Sequence, residues 1–255
     1  MLAEDRRRQI YELIREEGSG RVSALSKTFS VSEPTIRSDL EKLENQGLVI
    51  RDHGGAYLRG IDALVRSQTL HHSENAEQKR LIGKKAAELV SDYDTLILDS
   101  GSTVTELAGN LLDKRGLHIA TNALNIALIV GSVPSFTILV TGGEFKAPTL
   151  SLTGEYAATL FNSVSVDKLF LATAGISLES GLTYPGLSDL PVKRAMIRAA
   201  KTVYLLADSS KIGRTSFATL GNLSAVHVLI TDAGIDQHSR QGFESFGIDV
   251  VVASG

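Results

Sequence analysis

The sequence of 255 residues contains no cysteine and no long hydrophobic run. Without cysteine, the chain has no disulfide framework, no thiolate metal site and no cysteine nucleophile. No apolar run reaches about 18 residues, the length that a membrane-spanning helix needs, and the first residues are charged rather than those of a signal-peptide core. These absences predict a cytoplasmic protein that does not enter a membrane.

The overall composition is that of an ordinary globular protein. The formal net charge is −3 and 43% of the residues are apolar, enough for a sizeable core. The chain is too long for one small domain, and it suits a small domain followed by one of about 180 to 195 residues. We find no internal repeat and no low-complexity segment.

The stretch from Ser32 to Gly47 has the pattern of a capped helix. Ser32 is an N-cap residue, Pro34 lies in the first turn where a missing N–H costs nothing, and Gly47 provides a left-handed end. On a helical wheel, apolar residues share one face. The outward face and its flanks carry polar side chains, namely Thr35, Arg37, Ser38, Glu41, Lys42 and Asn45.

Two further helical patterns precede this helix. The first contains Ile10 and Ile14 at helical spacing and ends at Gly18–Gly20, and the second runs from Val22 to Phe29. A tight turn over residues 30–32 joins the second pattern to the capped helix. Two helices joined in this way form the helix-turn-helix unit.

A basic hairpin is predicted after the capped helix. Short apolar runs at residues 48–50 and 56–58 enclose the segment Arg51–Gly55, whose glycines allow close approach to a sugar-phosphate chain. A helix-turn-helix with such a wing binds double-stranded DNA, with the outward helix in a groove. The predicted DNA contacts are Arg6, Arg21, Ser32, Thr35, Arg37, Ser38, Lys42, Arg51, His53 and Gly54.

Charge alone does not support DNA binding. Residues 1–58 contain nine Lys and Arg and ten Asp and Glu, which gives a net charge of −1. Affinity must therefore come from the clustering of cations rather than from their sum. The alternative, a plain helical hairpin with a solvated face, is disfavoured by the combination of cap, turn, glycine stop and wing.

The rest of the chain predicts a linker and an α/β domain. Periodicity is lost over residues 59–73, and adjacent His71 and His72 lack a third ligand, so no metal site is predicted. A helix over 74–90 opens a domain, residues 74–255, in which apolar runs alternate with helical patterns. This alternation predicts a mostly parallel sheet covered on both faces. The runs are 95–98, 117–120, 137–140, 169–172, 203–207, 226–230 and 249–252; the helices are 104–112, 123–130, 155–161, 189–200 and 237–246.

Ligands of such sheets bind beyond the carboxyl ends of the strands. The segment Asp99–Thr103 follows the first strand and opens a helix, so its amides, hydroxyls and helix N-terminus predict a phosphate site. The segment lacks the lysine of a Walker loop and the chain has no GxGxxG, so no nucleotide cofactor is predicted. Lys211 is the preferred cation for the phosphate, with Arg214 second. Asp99, Asn122 and Asp208 are candidates for sugar hydroxyls.

Several polar strand ends are expected on this one rim, among them Thr141-Gly142-Gly143. Each member taken alone has a simpler explanation as a helix cap or turn residue. The predicted effector-binding residues are Asp99, Ser100, Gly101, Ser102, Thr103, Thr121, Asn122, Gly142, Gly143, Lys146, Gly175, Asp208 and Lys211.

Both halves of the chain resemble one family. The run Ser32–Leu40, with Gly47-Leu48 and Arg51–Ala56, closely resembles the N-terminal domain of the DeoR family of bacterial transcriptional regulators. Segments of the second half resemble its sensor domain: Glu77–Arg80, Asp99–Thr103, Thr121-Asn122, Thr141–Gly143, Val192–Met196 and Asp208–Lys211. Two positions depart from the pattern. Ser38 replaces a residue that is usually basic, Asn, Gln or Ala, and Leu190-Pro191 replaces acidic residues.

The resemblance implies a function. It implies a repressor of carbohydrate-metabolism genes whose sensor resembles sugar-phosphate isomerases and coenzyme A transferases and binds a phosphorylated sugar. Because one DNA-binding domain reads only a half-site, we also expect a homodimer or homotetramer. The alternative is a sugar-phosphate isomerase or deaminase with an appended DNA-binding domain, in which Asp99, Asp167 or Asp208 would be the acid or base. No histidine and no close carboxylate pair is expected on the rim, which argues against an enzyme.

Overall fold

The computed structural model describes residues 2–17, 19–51, 54–57 and 75–254. Among them, one compact unit comprises the residues up to 57 together with Lys146–Pro148, and a second comprises the remaining residues from 75 onward. The predicted linker with His71 and His72, and His53 of the predicted wing, lie outside the described residues. No described helix is long and apolar enough to cross a membrane.

The first unit contains the three predicted helices. They are α1 (Ala3–Glu17), α2 (Val22–Phe29) and α3 (Glu33–Asn45). Each has an apolar stripe at helical spacing, and each stripe is buried in one small core that includes Ile10, Ile14, Leu25, Ile36 and Leu40. The helical part of the predicted winged helix-turn-helix fold is therefore confirmed.

The sheet of this unit has one strand more than the sequence predicted. Strands β1 (Ser19–Arg21), β2 (Ile50–Arg51) and β3 (Gly55–Tyr57) form an antiparallel sheet with β3 in the middle. The prediction for Gly18–Gly20 as a mere helix stop was therefore incomplete, because Gly20 pairs with Ala56. A side chain at Gly55 would place its Cβ 2.2 Å from the Gly20 carbonyl oxygen, so glycine allows this pairing.

The second unit is built on a seven-stranded parallel sheet. The strands are β4 (Thr95–Leu98), β5 (His118–Thr121), β6 (Thr137–Val140), β9 (Val166–Ala172), β12 (Ala200–Leu206), β14 (Val228–Asp232) and β15 (Asp249–Ala253). Their order in the sheet is β15-β14-β12-β9-β4-β5-β6. The predicted parallel sheet is confirmed, although the strands predicted to begin at residues 169, 203 and 226 begin two or three residues away from those positions.

Helices cover both faces of this sheet. They are α4 (Ala76–Ala87), α5 (Ser102–Gly109), α6 (Leu124–Val130), α7 (Gly154–Phe161), α8 (Leu190–Ala199) and α9 (Gln237–Ser245). Along β4, Leu96 and Leu98 belong to one apolar cluster with α4, α5 and α6, whereas Ile97 belongs to the other with α7, α8 and α9. Successive side chains of a strand point to opposite faces, so burial on both faces explains the continuous apolar runs.

Two smaller sheets were not predicted. Strands β10 (Gly175–Ser177), β11 (Gly181–Tyr184) and β13 (Ala218–Gly221) form an antiparallel sheet, and β7 (Glu144–Lys146) pairs with β8 (Ser151–Thr153). These strands have only three or four residues each. Such short runs carry too little periodicity to be recognised in a sequence.

The strand order reverses between β4 and β9. The chain first adds β5 and β6 on one side of β4, then returns to place β9 and all later strands of the sheet on the other side. The connections therefore diverge at the carboxyl ends of β4 and β9, and a crevice for a ligand is expected there.

Candidate functional site

Helix α3 presents a polar face to solvent. The Ser32 hydroxyl accepts a hydrogen bond from the Thr35 amide at the helix start, and Gly47 has the left-handed φ of 73° expected after its end. Ile36, Leu40 and Leu43 are buried, whereas the polar residues on the opposite side are exposed, namely Arg37, Ser38, Glu41, Lys42 and Asn45. The predicted separation of the two faces is confirmed.

The cations of this unit differ in how firmly they are held. Arg6 Nε donates to Asp39 Oδ2 at 2.6 Å, and its side chain is only 12% exposed, so this pair ties α1 to α3. Asp39 lies on the apolar side of α3, a position that marks it in the sequence as a buried partner. A DNA contact of Arg6 stays a prediction.

Arg37 and Arg51 are held more loosely. Arg37 lies 3.4 Å from Glu33 and Arg51 lies 3.1 Å from Glu44, in pairs that are partly or largely exposed. Arg51 also donates to the Arg37 carbonyl oxygen. Exposed ion pairs contribute little and exchange readily. Both guanidinium groups can therefore turn to a phosphate or a base edge.

Three strands of the second unit end in register. Leu98 is paired with Thr121, and Thr121 with Val140. The next residues, Asp99, Asn122 and Thr141, consequently lie side by side at the carboxyl edge, and we call them the strand-end row. The structure thus brings together Asp99 and Asn122, two of the predicted site residues.

The segment that follows Asp99 forms an anion cradle, defined here as residues 100–103. The first bond inside α5 runs from the Thr105 amide to the Gly101 carbonyl oxygen, so the preceding amides have no acceptor within the helix. A Cβ on Gly101 would lie 2.7 Å from the Ala172 Cβ, so glycine lets the cradle approach β9 closely. The amides of residues 101–103 and the positive helix end together favour an anion.

A buried ion pair lies beside the cradle. Lys193 Nζ of α8 donates to both oxygens of Asp99, at 2.5 and 2.6 Å, and the carboxylate also accepts from the amides of Ser100 and Ala172. Both side chains are almost completely buried. Burial raises the pKa of the Asp99 carboxyl, and the ammonium group of Lys193 opposes that rise. Lys193 Nζ also lies 5.3 Å from the centre of the Tyr184 ring.

Sequence reasoning did not select Lys193 as a site residue. It preferred Lys211, which lies half-buried in the turn after β12. The overlooked signal was the place of Lys193 three residues from both Leu190 and Met196, on the buried side of α8. A lysine on an apolar helix face is rarely buried without a partner.

The other two members of the row retain unpaired atoms. Asn122 Nδ2 donates to the Leu152 carbonyl oxygen at 3.1 Å, but Asn122 Oδ1 has no hydrogen-bond partner among the described residues. Thr141 Oγ1 likewise has none within the part of the chain that the structure describes. Both residues are at least nine-tenths buried. The row therefore offers a hydroxyl and an acceptor oxygen beside the anion cradle.

Other predicted residues are occupied by local contacts. Thr121 Oγ1 donates to the Leu98 carbonyl oxygen and accepts from the Ala123 amide. Asp208 caps the turn of residues 209–211 and accepts from the Ser210 amide and from Asn75 Nδ2. These local contacts explain why a threonine and an aspartate occupy the two positions. An effector contact of Thr121 or Asp208 stays a prediction.

The remaining predicted residues are three glycines and Lys146. A Cβ on Gly175 would meet the Arg214 carbonyl oxygen at 2.4 Å, and one on Gly143 would meet the Thr153 carbonyl oxygen at 2.5 Å. Gly142 has open space around it. Lys146 ends β7 and is buried.

Asp167 does not belong to the site. It is the second residue of β9, so it lies at the amino edge of the sheet, opposite the strand-end row. There it accepts from the amide and hydroxyl of Thr95 and from Lys201. These bonds lower the pKa of the Asp167 carboxyl to about 2. The sequence alternative that used Asp167 as acid or base is wrong about its position.

Comparisons with known proteins agree on one family. Residues 6–59 match the model of the DeoR-like helix-turn-helix domain, and residues 74–233 match that of the DeoR C-terminal sensor domain. By fold, ribose 5-phosphate isomerase A of Neisseria gonorrhoeae matches 52% of each chain with a TM-score of 0.39 and 15% identity.

Two relatives are similar over most of their length. The HTH-type transcriptional regulator GlpR of Haloferax volcanii is 34% identical over 253 residues, which are 98% of each chain. The glycerol-3-phosphate regulon repressor of Escherichia coli is 34% identical over 227 residues, which are 88% of each chain.

Proposed function

Because the chain belongs to the DeoR family of transcriptional regulators, we propose that it represses genes of carbohydrate metabolism and that a phosphorylated sugar or related metabolite modulates its binding to the operator. The observation that carries the effector is the anion cradle beside the strand-end row. A relative named for the glycerol-3-phosphate regulon supports the chemical class. Because its proposed target is operator DNA, we propose that this protein acts in the cytoplasm.

The operator contacts follow from the exposed face of α3 and from the wing. We propose that Thr35, Arg37, Ser38 and Lys42 contact DNA from α3. Thr35 and Ser38 are short and serve nearby base edges or phosphates, whereas Arg37 and Lys42 reach further. The sugar-phosphate backbone of the DNA is contacted by the remaining residues, namely Ser32 at the helix start, Arg6, Arg21 and the wing residues Arg51, His53 and Gly54.

A single winged helix reads one half-site. We therefore propose a homodimer or homotetramer on half-sites about one helical turn apart. The domains are residues 1–58 for DNA binding and 74–255 for sensing, joined by residues 59–73.

Coupling between the two functions follows from linkage. An effector releases DNA only if it binds more tightly to the conformation that holds the operator poorly. We expect operator affinity to fall as a phosphorylated sugar saturates the sensor. Fluorescence anisotropy of labelled operator DNA, titrated with sugar and polyol phosphates, measures this shift. Operator affinity that no member of the panel changes would contradict the proposal.

The operator surface has a direct test. Arg37→Ala removes the central cation of the α3 face, and we expect a loss of about 1–3 kcal/mol in operator binding. Arg240→Ala is a matched control, because Arg240 also forms an exposed i,i+4 pair, with Glu244, but on α9. Anisotropy titrations should show the loss for Arg37→Ala alone. Equal affinities for both variants would remove Arg37 from the operator surface.

The effector surface is tested by adding charge to the cradle. Gly101→Asp should abolish the effector response through repulsion and crowding against Ala172, while operator affinity without effector stays unchanged. Gly109→Asp places the same charge at the other end of α5, where an added Cβ meets nothing within 4 Å, and is the control. Lys211→Ala should likewise abolish the response. A normal response from both Gly101→Asp and Lys211→Ala would show that the pocket is misplaced.

The rival function is retained isomerase or deaminase chemistry. We propose that the chain is not an enzyme, because the Asp99 carboxylate is fully engaged with Lys193 and two amides and Asp208 caps a turn. Incubation with aldose and ketose phosphates, followed by chromatography, tests this. Turnover that Asp99→Asn abolishes would establish the rival.

A further inference from the structure

The strand-end row contains buried polar atoms that the protein itself does not satisfy. Asn122 Oδ1 and Thr141 Oγ1 have no hydrogen-bond partner among the described residues, and the two side chains are 1% and 5% exposed. Buried polar atoms in native proteins are nearly always bonded, because an unpaired one costs free energy. Two such atoms on neighbouring strand ends therefore indicate groups kept for a ligand.

The orientation of the Asn122 amide is determined by its surroundings. Its Nδ2 donates to the main-chain carbonyl oxygen of Leu152, and the main-chain amide of Leu152 donates to the main-chain carbonyl oxygen of Asn122. An antiparallel bridge between Ala123 and Ser151 holds β8 in this place. With the nitrogen engaged by β8, the acceptor oxygen is the atom left for another molecule. The acceptor is thus held in place before any ligand arrives.

The distances suit the carbon chain of a sugar phosphate. Neighbouring strands lie about 4.8 Å apart, so the ends of β5 and β6 lie roughly 5 and 10 Å from the end of β4. The anion cradle follows directly on β4. A phosphate held in the cradle therefore places an attached chain of a few carbons along Asn122 and Thr141.

We propose that Asn122 Oδ1 and Thr141 Oγ1 form a hydroxyl-recognition subsite for the effector, a step that rests on the proposed function of the anion cradle. Asn122 Oδ1 can only accept, so it accepts a hydrogen bond from a ligand hydroxyl. The Thr141 hydroxyl donates or accepts. The subsite therefore selects a hydroxyl-bearing phosphate ester over an alkyl phosphate of equal charge.

The chain offers a matched control for this subsite. Thr231 on β14 is 0% exposed, and its Oγ1 also lacks a partner among the described residues. Its strand is separated from β4 by β12 and β9. Thr141→Val and Thr231→Val thus make the same chemical change at equally buried, unpaired hydroxyls, one beside the cradle and one distant from it.

Isothermal titration calorimetry of the full chain tests the subsite. The probes are n-propyl phosphate, glycerol 3-phosphate and six-carbon sugar phosphates. The wild type and Thr231→Val should bind at least one hydroxyl-bearing ester about tenfold more tightly than n-propyl phosphate. In Thr141→Val and Asn122→Leu this preference should fall below about threefold, with n-propyl phosphate affinity unchanged. Thr141→Ser, which keeps the hydroxyl, should restore it.

Stability separates recognition from a structural role. In the absence of ligand, Thr141→Val should unfold at the same or a higher urea concentration than the wild type, because the change removes an unpaired buried hydroxyl. A structural hydroxyl would lose stability on the same change. A stability loss in Thr141→Val together with an unchanged ligand preference would overturn the subsite.

The outcomes distinguish the subsite from the cradle. If the phosphate esters bind but hydroxyl groups add no affinity, or if Thr141→Val keeps the preference, the subsite is wrong and the cradle stands. If no phosphate ester binds, the cradle is wrong. In that case, binding of glycerol or glucose that depends on Thr141 would support the subsite without the cradle. If neither glycerol nor glucose bound in this way, both the subsite and the cradle would be overturned.

Discussion

The two halves of the parallel sheet end in equally polar segments but satisfy their polar atoms differently. At the ends of β12 and β14, Asp208 accepts a hydrogen bond from Ser210 in its own turn, whereas Asp232 accepts from Gly234 and from Ser209 of the turn after β12. Beyond β5 and β6, Asn122 and Thr141 each keep a buried atom with no partner in the described chain. Polar residue type at a strand end thus does not distinguish a turn cap from a binding group, whereas the pairing of each buried atom does.

Asp99 is the member of the strand-end row that the protein satisfies, and removing its cation should have the largest effect. Lys193→Met leaves a buried carboxylate unpaired, so we expect unfolding to become easier by about 3–5 kcal/mol, measured by urea denaturation. The double variant Lys193→Met with Asp99→Asn should recover part of this loss, because no charge remains buried.

The exposed ion pair of Lys201 and Asp167 is the control for this change. Lys201 is 71% exposed, so Lys201→Met should cost less than about 1 kcal/mol. If Lys193→Met were equally mild, burial and pairing of Asp99 would not matter for the fold. The contrast between satisfied and unsatisfied members of the row would then fail.

A smaller effect is expected for Asp232, the last residue of β14, whose carboxylate is bonded within the protein. Asp232→Asn weakens three hydrogen bonds, to the Ser209 amide and hydroxyl and to the Gly234 amide, and should cost about 1–3 kcal/mol of stability. Phosphate-ester binding of the folded variant should remain at the wild-type level in calorimetry. Loss of binding with stability intact would instead assign a ligand contact to Asp232.

The smallest effect is expected at the amino edge, through pH. Hydrogen bonds from Thr95 and Lys201 lower the folded pKa of Asp167 to about 2, below the value of about 3.9 for an unfolded chain. Its contribution to stability is therefore present above the unfolded pKa and is lost as pH falls towards 2.

The variant Asp167→Asn isolates this contribution. Urea midpoints of the wild type and the variant should differ at pH 6 and converge near pH 2. A constant difference in urea midpoint across that range would mean that Asp167 is not the titrating group. The amino edge could then not be compared with the carboxyl edge on this basis.

Local signals account for what could be predicted. Both ends of α3 were recognisable, because Ser32 and Pro34 act within its first turn and Gly47 lies two residues after its last residue. The strand ends at Asp99 and Asn122 followed from apolar runs and the rule that parallel strands end at one edge. By contrast, β1 escaped prediction because three residues such as Ser19–Arg21 acquire a strand conformation only by pairing with β3.

Lys193 shows most clearly where sequence reasoning stopped. Its partner Asp99 lies 94 residues away, so no spacing rule connects the two. Lys211 was chosen because it follows the end of a strand. The structure pairs Asp99 with a different lysine, Lys193, which is buried on helix α8. Thr141 and Thr231 pose the same problem, because their hydroxyls are ordinary in the sequence and unpaired only in the fold.

The amino-acid sequence alone determined the order of the helices and of the seven strands of the parallel sheet, the two-faced burial of that sheet and the membership of the family, because periodicity, caps and turn residues act over short distances. The tertiary structure alone decided the strand order, the Asp99–Lys193 pair and the identity of the atoms left unpaired. A hydrogen-bond partner is set by where distant segments meet, and the desolvation that makes an unpaired atom significant exists only after the chain has packed.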